Sequence, residues 1–462
     1  MRIWIGVEKF AKIESAKVCV NNYTVLVGPN NSGKTFLMQL IQGLSPKLAR
    51  YVDEATMETL LVEQDDVHKK YVITYENVSR IVSCINSELF LQKESIVKEI
   101  FGREIAIGKL YVDIELDENI SYDFCLLDCR KKETIKYFEK YADKIWQPVL
   151  NFVKNMDEGN LLLVNKIDKR EQKETTFSLN VSTTNDEIGT CQGALSTLFE
   201  SNSLFLPASR TGLLMLYREF FANKADNDLS FVVKDNVLYD KKEKSANFTQ
   251  PVYEFLRFLQ TFSEGEASKK KYHEELAFFE EFLIEGHISV DKQGGLSYDF
   301  KSENRRVPMY LASAMINEVV PIVLAITAEN GYGRLIIDEV EASLHPQKQL
   351  ELVRFLNRLN NKGMQLIIST HSDTFVSKLN NLYILAEATK TYGYEILKQF
   401  NLQKEDLILP ENLFVYEFTE QKNGKYVVKE IVAKEKTGYQ FDLFTESAIH
   451  LYDEAMKLGD IQ

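Results

Sequence analysis

An α/β fold with a mainly parallel sheet, an antiparallel β subdomain and helical insertions is predicted by three observations in this 462-residue sequence. Tyr23–Val27 is a short, largely apolar run. It breaks into Gly28-Pro29-Asn30-Asn31-Ser32-Gly33-Lys34-Thr35, and Phe36, Leu37, Leu40, Ile41 and Leu44 then recur at helical spacing, which reads as strand, loop, helix. Far downstream, Leu335-Ile336-Ile337 is an apolar strand ending in the paired carboxylates Asp338-Glu339. A helix with Leu350, Val353, Leu356 and Leu359, stopped by Gly363, then leads to a further apolar strand, Leu366-Ile367-Ile368, ending in Ser369-Thr370-His371-Ser372. Strand, helix, strand of this length is a parallel crossover, so Glu339 and His371 are expected at the same carboxyl edge of the sheet.

Each element has a chemical reading. Gly28 and Gly33 let the backbone turn tightly so that successive N–H groups face a phosphate, while the new helix presents its positive end. Pro29, Asn30, Asn31 and Ser32 complete that loop. Lys34 would reach the β and γ phosphates, and the Thr35 hydroxyl would ligate magnesium. Asp338, just past a buried strand, can hold the magnesium shell; Glu339 beside it can polarise the attacking water as general base. His371 is either a satisfied structural histidine or, as its place at a strand end favours, a sensor of the γ-phosphate.

The loop with Lys34, the Asp338-Glu339 pair and His371 resemble the Walker A, Walker B and switch-histidine set of ABC-class ATPases. The opening, with an amphipathic strand from Ile3, Phe10, a return strand Val18-Cys19-Val20 and then the glycine loop, is similar to the OLD, RecF and SMC group. Glu339-Val340-Glu341-Ala342-Ser343-Leu344-His345-Pro346 and Leu206-Pro207-Ala208-Ser209-Arg210 resemble OLD-like ATPases of bacterial anti-phage systems such as Gabija, Septu and PARIS. The resemblance implies an ABC-type P-loop ATPase head, ATP as the nucleotide with Mg2+, and a site completed by a second subunit. The signature that such a partner would contribute has its candidate in Leu311-Ala312-Ser313-Ala314-Met315, ahead of an apolar helix through Val320, Val323 and Ile326. Ser313 can donate a hydroxyl in trans, but the expected glycines are missing; Ala314 permits less close approach than glycine, so either slow hydrolysis or ATP acting mainly as a clamp is expected. An ordinary N-cap serine on a core helix is the plainer account.

Asn165-Lys166-Ile167-Asp168 matches the guanine-reading tetrapeptide of GTPases. No Asp-x-x-Gly lies between Thr35 and Asn165, however, and a charged hairpin turn is the favoured use of these residues. The long segment between Thr35 and Ser313 implies large insertions. The stretch 50–105 reads as helical; 111–116 and the 120s alternate as a hairpin; a helix over 135–156 carries Trp146; and a second hairpin spans 161–181. The stretch 212–285 reads as mostly helical, with a small hairpin at 231–238 and no sustained heptad seam, against a coiled-coil arm. A final hairpin is expected from Leu413 to Val428, then a helix over 446–458. The implied organisation is an ATPase head's P-loop lobe at 1–50, a mixed helical and β-hairpin insertion at 51–185, a return to the head at 186–212, a mostly helical oligomer or partner surface at 213–300, and the lobe of signature, Walker B and switch histidine at 301–462.

Composition bounds the rest. The net charge of −13 disfavours a generic nucleic-acid coat, and Lys269-Lys270-Lys271 and Arg305-Arg306 have acids close by. DNA contact is therefore not indicated by charge. The five cysteines, Cys19, Cys84, Cys125, Cys129 and Cys191, have no zinc spacing, and their odd number argues against a disulfide framework; no metal beyond magnesium is inferred. No run reaches the roughly 18 apolar residues needed to span a bilayer, and Met1-Arg2-Ile3-Trp4-Ile5 enters a strand, so a cytoplasmic protein is expected. OLD nucleases add a Toprim domain with an acidic metal cluster. Here Glu405, Asp406, Glu411 and Asp442 read as surface residues, so no nuclease activity of its own is expected. The resemblance then implies a homo-oligomer, at least a dimer, whose ATP-driven switching controls a separate effector, a Toprim or HNH nuclease being the candidates, in anti-phage defence. The alternative is a RecF- or SMC-like repair ATPase acting as a DNA-loaded clamp.

Overall fold

All five residues of β3 (Tyr23–Val27) are buried, as befits a strand covered on both faces. It is also interior to the sheet: β15 (Gln365–Thr370) pairs with it in parallel along one edge, and β16 (Leu413–Glu420) in parallel along the other. After β3 the chain turns into α1 (Lys34–Leu44), whose Leu37, Leu40, Ile41 and Leu44 are all buried. The strand, loop, helix reading of the sequence is thus realised.

The structure is a computed structural model and describes residues 1–64, 68–128, 160–182, 187–199, 201–217, 248–290, 295–301, 305–434, 436–441, 444, 449, 452–454 and 456–457. The expected helix at 135–156, the small hairpin at 231–238, Cys129, Asp442 and most of the 446–458 helix lie outside the described residues. Two compact units emerge. One comprises Met1–Gly6, Gly43–Lys93 and Lys109–Ser201, the other Val7–Gln42, Glu94–Gly108 and Asn202–Gln462.

In the first unit, β4 (Leu61–Gln64), β5 (His68–Ile73), β7 (Ile120–Asp128), β8 (Asn160–Asp168) and β9 (Lys173–Ser182) form an antiparallel sheet in the order β4-β5-β7-β8-β9. The predicted antiparallel β structure is present, with two corrections. The 50–105 stretch holds α2 (Glu54–Glu58) and α3 (Val78–Phe101), but also the strands β4 and β5. Strands of four and six residues leave little local periodicity to read, and β7, the far partner of β5, lies about fifty residues on. Nor do β6 (Lys109–Glu115) and β7 form a hairpin: β7 pairs with β5 and β8, whereas β6 lies beside β1 (Arg2–Phe10). Alternation marks a strand without naming its partner.

The second hairpin is as expected, β8 pairing with β9 from Asn160 opposite Ser182 to Asp168 opposite Lys173. Within it, the side-chain amide of Asn165 donates to Glu174 Oε1 at 2.9 Å, and Asp168 Oδ1 accepts from the Arg170 amide at 2.9 Å in the turn. The GTPase-like tetrapeptide is therefore part of a charged hairpin. The helix α4 (Glu187–Phe199) packs on β8 and on the 3-10 turn Ser45–Tyr51.

The second unit carries the mainly parallel sheet. Its order is β10-β14-β15-β3-β16-β17-β2, continuing to β1, where β2 is Ile13–Cys19, β10 Ser203–Leu206, β14 Arg334–Ile337 and β17 Tyr426–Ile431. From β10 to β16 every adjacent pair is parallel, and β16 and β17 form the predicted final hairpin. The helices α5 (Gln250–Thr261), α6 (Glu266–Lys271), α7 (His273–Phe278), α8 (Ala314–Thr327), α9 (Pro346–Asn361) and α10 (Asp373–Tyr392) complete it, with a small antiparallel sheet of β11 (Gly286–Val290), β12 (Leu296–Phe300) and β13 (Arg306–Pro308). That small sheet is missing from the sequence reading.

One surface assignment is overturned. Asp406 is fully buried, with Arg358 Nε at 2.7 Å from Oδ1 and Arg354 Nη2 at 2.9 Å from Oδ2. It ties a 3-10 turn to α9, and sequence distance concealed both partners. Glu405 and Glu411 are exposed as expected. Among the described residues, no helix is long and apolar enough to cross a membrane.

Candidate nucleotide site

The glycine loop joins β3 to α1 under two backbone constraints. Gly33 has φ +104° and Asn31 φ +62°, left-handed conformations that glycine and asparagine tolerate best. A Cβ on Gly28 would lie 2.6 Å from Cβ of Phe418 on β16, so strand packing demands glycine there. Leu37 N donates to Gly33 O at 3.0 Å, which starts α1 immediately after the loop and leaves the preceding amides free to face an anion.

Lys34, only 5% exposed, lies inside that loop. Its ammonium donates to Gly28 O and Pro29 O, each at 2.8 Å, and approaches Ser32 Oγ at 3.4 Å. Burial pushes its pKa down to about 8, while the carboxylates of Asp338, Glu339 and Glu341 act in the opposite direction. Asn30 and Asn31 are exposed at the loop tip, and Thr35 is exposed at the start of α1.

The carboxyl ends of β14 and β15 supply the rest, and the crossover brings them beside β3 as the sequence predicts. Thr35 Oγ1 donates to Asp338 Oδ2 at 2.7 Å, and Ser369 Oγ donates to Asp338 Oδ1 at 2.6 Å. Both oxygens of this nearly buried carboxylate are thereby fixed. The His371 amide donates to Glu341 Oε1 at 2.6 Å, and the ring Nδ1 lies 2.8 Å from Gly28 O. A carbonyl can only accept, so Nδ1 carries the proton and its 3.5 Å approach to Lys34 Nζ is no hydrogen bond. Nε2 is left facing Glu339 Oε1 at 3.4 Å. Gly28, Lys34, Thr35, Asp338, Glu339 and His371 thus form one constellation.

Three contributors have no role in the sequence reading. Ser369 holds Asp338 and also accepts from the Glu339 amide at 2.8 Å. Glu341 orients the His371 backbone. Arg210 is fully buried and donates to the carbonyls of Asp338 at 2.7 Å and Glu339 at 3.2 Å. Arg210 and Glu341 are visible in the sequence only as members of the Leu206–Arg210 and Glu339–Pro346 motifs, and Ser369 only as a serine two residues before the histidine. Each becomes meaningful only through its spatial partner.

Ser313 stands apart from these contacts. It is the N-cap of α8, its Oγ accepting from the Ile316 amide at 3.3 Å, and it is exposed. From Ile316 to Thr327 every residue of α8 is buried, so an anchored helix presents its positive end outward.

The oxygens suit magnesium. Thr35 Oγ1 and Asp338 Oδ2 are hard ligands side by side, and a magnesium ion commonly takes one or two such protein ligands and completes its shell with phosphate and water. No group of three or more His, Cys, Asp or Glu side chains suited to a dedicated metal site occurs among the described residues.

A family model described as the AAA ATPase domain matches residues 3–376. No curated protein matches the sequence. Among solved structures the chain is similar to the SMC head domain from Thermotoga maritima, at 10% identity and TM-score 0.34 over 93% of this chain and 99% of that one. It is also similar to the SmcHead bound to the C-winged helix domain of ScpA, at 10% identity and TM-score 0.36 over 93% and 96%. A third is the Smc head domain with an extended coiled coil, bound to the C-terminal domain of ScpA derived from Pyrococcus furiosus, at 10% identity and TM-score 0.34 over 98% of each chain. The family match spans the glycine loop, the carboxylate pair and His371, and on that match the chain belongs to the AAA ATPase domain family.

Proposed function

We propose that this ATPase chain is an ATP-binding, slowly hydrolysing switch that assembles as a dimer or higher oligomer and controls a separate effector protein. The observation that carries the reading is the split of the site. Lys34, Thr35, Asp338, Glu339 and His371 converge on one another, whereas Ser313 caps an outward-facing helix end. Exposed Tyr310 and Leu311 lie just before it, an apolar surface suited to a second subunit.

In this mechanism the loop amides and Lys34 hold the β and γ phosphates. Thr35 Oγ1 and Asp338 Oδ2 would hold a magnesium ion, which would supply charge neutralisation at the phosphates. Glu339 takes a proton from the attacking water, and His371, its ring held by the Nδ1–H bond to Gly28 O and its Nε2 3.4 Å from that carboxylate, is the γ-phosphate sensor. Ser313 of a second subunit closes the pocket. Ala314 follows it where a glycine is expected, so closure is looser and turnover slow. The resemblance of Glu339 to Pro346 and of Leu206 to Arg210 to OLD-like defence ATPases supports an anti-phage setting, with nuclease action belonging to the effector.

The test is Glu339→Gln with ATP and magnesium, followed by mass measurement in solution. The expected result is a stable, ATP-dependent oligomer; a monomer at saturating ATP would remove the switch reading.

A DNA-loaded clamp is the second reading. It is favoured by a cleft of about 600 Å³ lined by Lys269, Lys270, Lys271, His273 and Lys362, with Glu266 and Glu274 among them. Strong, salt-dependent stimulation of ATPase activity by DNA would select it.

A further inference from the structure

Arg210 is wholly buried, and an arginine in that position is stable only when its charge and its donors are engaged. Here four of its five N–H donors reach backbone carbonyls. Nε donates to Glu318 O at 2.8 Å, Nη1 to Asp338 O at 2.7 Å and Pro207 O at 3.3 Å, and Nη2 to Glu339 O at 3.2 Å. Glu318 supplies the opposing charge. Its Oε2 lies 2.8 Å from Nε, at an angle that makes this a charge contact and leaves the hydrogen bond to the backbone carbonyl. Thr211 Oγ1 donates to Oε1 at 2.6 Å and fixes the carboxylate.

Glu339 itself has φ +45°, a left-handed conformation that costs a non-glycine residue energy and persists only where its surroundings over-determine it. The over-determination is visible. Ser369 Oγ takes its N–H, and its carbonyl accepts both from Arg210 Nη2 at 3.2 Å and from the Ala342 amide at 3.0 Å, with Arg210 the side chain that reaches it from outside the local turn. Loss of the Arg210 contact would leave that carbonyl to the Ala342 amide alone, a looser hold that lets the carboxylate swing away from His371 Nε2.

We infer that Arg210 is a positioning residue for hydrolysis: it locks Glu339 in its strained backbone conformation and, through Glu318, ties that conformation to α8, whose N-cap is Ser313. The inference rests on Glu339 as general base. Closure of a second subunit on Ser313 and alignment of Glu339 then share one buried linkage. A buried ion pair can often be replaced by apolar side chains without loss of stability, so removal of the lock can be separated from loss of fold.

The experiment compares Arg210→Lys, the double variant Arg210→Met with Glu318→Leu, and Glu339→Gln as a reference, reading thermal melting, ATP affinity and kcat. The double variant is expected to melt near wild type and bind ATP normally, with kcat down roughly a hundredfold, the effect of a misplaced catalytic group. Arg210→Lys keeps the charge but loses the fork, so it should fold, bind ATP and show an intermediate kcat. Wild-type kcat in either Arg210 variant, or parallel loss of affinity and kcat in Arg210→Lys, overturns the inference. Turnover retained in Glu339→Gln overturns the base assignment, whatever the Arg210 variants do.

Discussion

Thr35 Oγ1 donates a 2.7 Å hydrogen bond to Asp338 Oδ2, joining two residues 303 positions apart. Both atoms are hard oxygens at the base of the phosphate loop, where the proposed magnesium would be held. Asp338→Asn keeps the shape but removes the charge that neutralises the ion. Mg2+-dependent turnover should fall by roughly a hundredfold or more, with the midpoint of a magnesium titration moved to higher concentration. An unchanged midpoint would remove Asp338 from the metal's shell.

Lys34 links nucleotide binding to pH. Burial lowers its pKa from 10.5 to about 8, whereas a bound phosphate favours the charged form. Above pH 8 binding must therefore take up a proton, and affinity should weaken by up to about tenfold per pH unit. Calorimetry in buffers of different ionisation enthalpy would show the uptake. The folding linkage has its own sign: the folded pKa lies below the unfolded one, so the cost of burying the charge is full below pH 8 and is relieved as pH rises from 8 to 10.5. Lys34→Ala should abolish nucleotide binding and this pH dependence together.

Turnover and affinity should separate at the other two catalytic candidates. Glu339→Gln is expected to bind ATP with wild-type affinity and to hydrolyse it at least roughly a hundredfold more slowly. His371→Ala should cut kcat more than affinity. Equal losses of both would instead mark His371 as structural, its main work being the Nδ1–H bond to Gly28 O.

The in-trans role of Ser313 has a direct complementation test. Lys34→Ala and Ser313→Arg should each be inactive alone, yet recover part of the activity when mixed, because one composite site per dimer then has both a sound lysine and a sound serine. No recovery would leave Ser313 with its cap alone. Ser313→Ala in any case removes the acceptor for the Ile316 amide and should cost about 1 kcal/mol in stability.

Asp406 is a stability prediction independent of nucleotide. Burial works to raise its pKa, but hydrogen bonds from Arg354, the Gln403 amide and Arg358 hold the carboxyl below its ordinary value. Its contribution is therefore fully present above the unfolded pKa near 3.8 and is lost as pH falls through the lower folded value. Asp406→Ala would leave two guanidinium groups without their shared partner and should cost roughly 3 to 5 kcal/mol in denaturant unfolding.

Local chemistry was readable in one dimension. The glycine loop, the buried strand before it and the amphipathic helix after it depend on backbone torsions and on side-chain period, both properties of neighbouring residues. So do the crossover from Asp338 to His371 and the hairpins at 161–181 and 413–428. By itself, then, the sequence determined the parallel sheet, its carboxyl edge and the residues lining that edge. Only the tertiary structure decided that β5 and β7 pair, that β6 does not join β7, that Asp406 is buried between two arginines, and that Arg210 and Ser369 hold Glu339 in a left-handed conformation. These depend on partners tens to hundreds of residues away. A hydrogen bond between distant residues leaves no period and no spacing in the chain, because the fold, not the local backbone, brings its two atoms together.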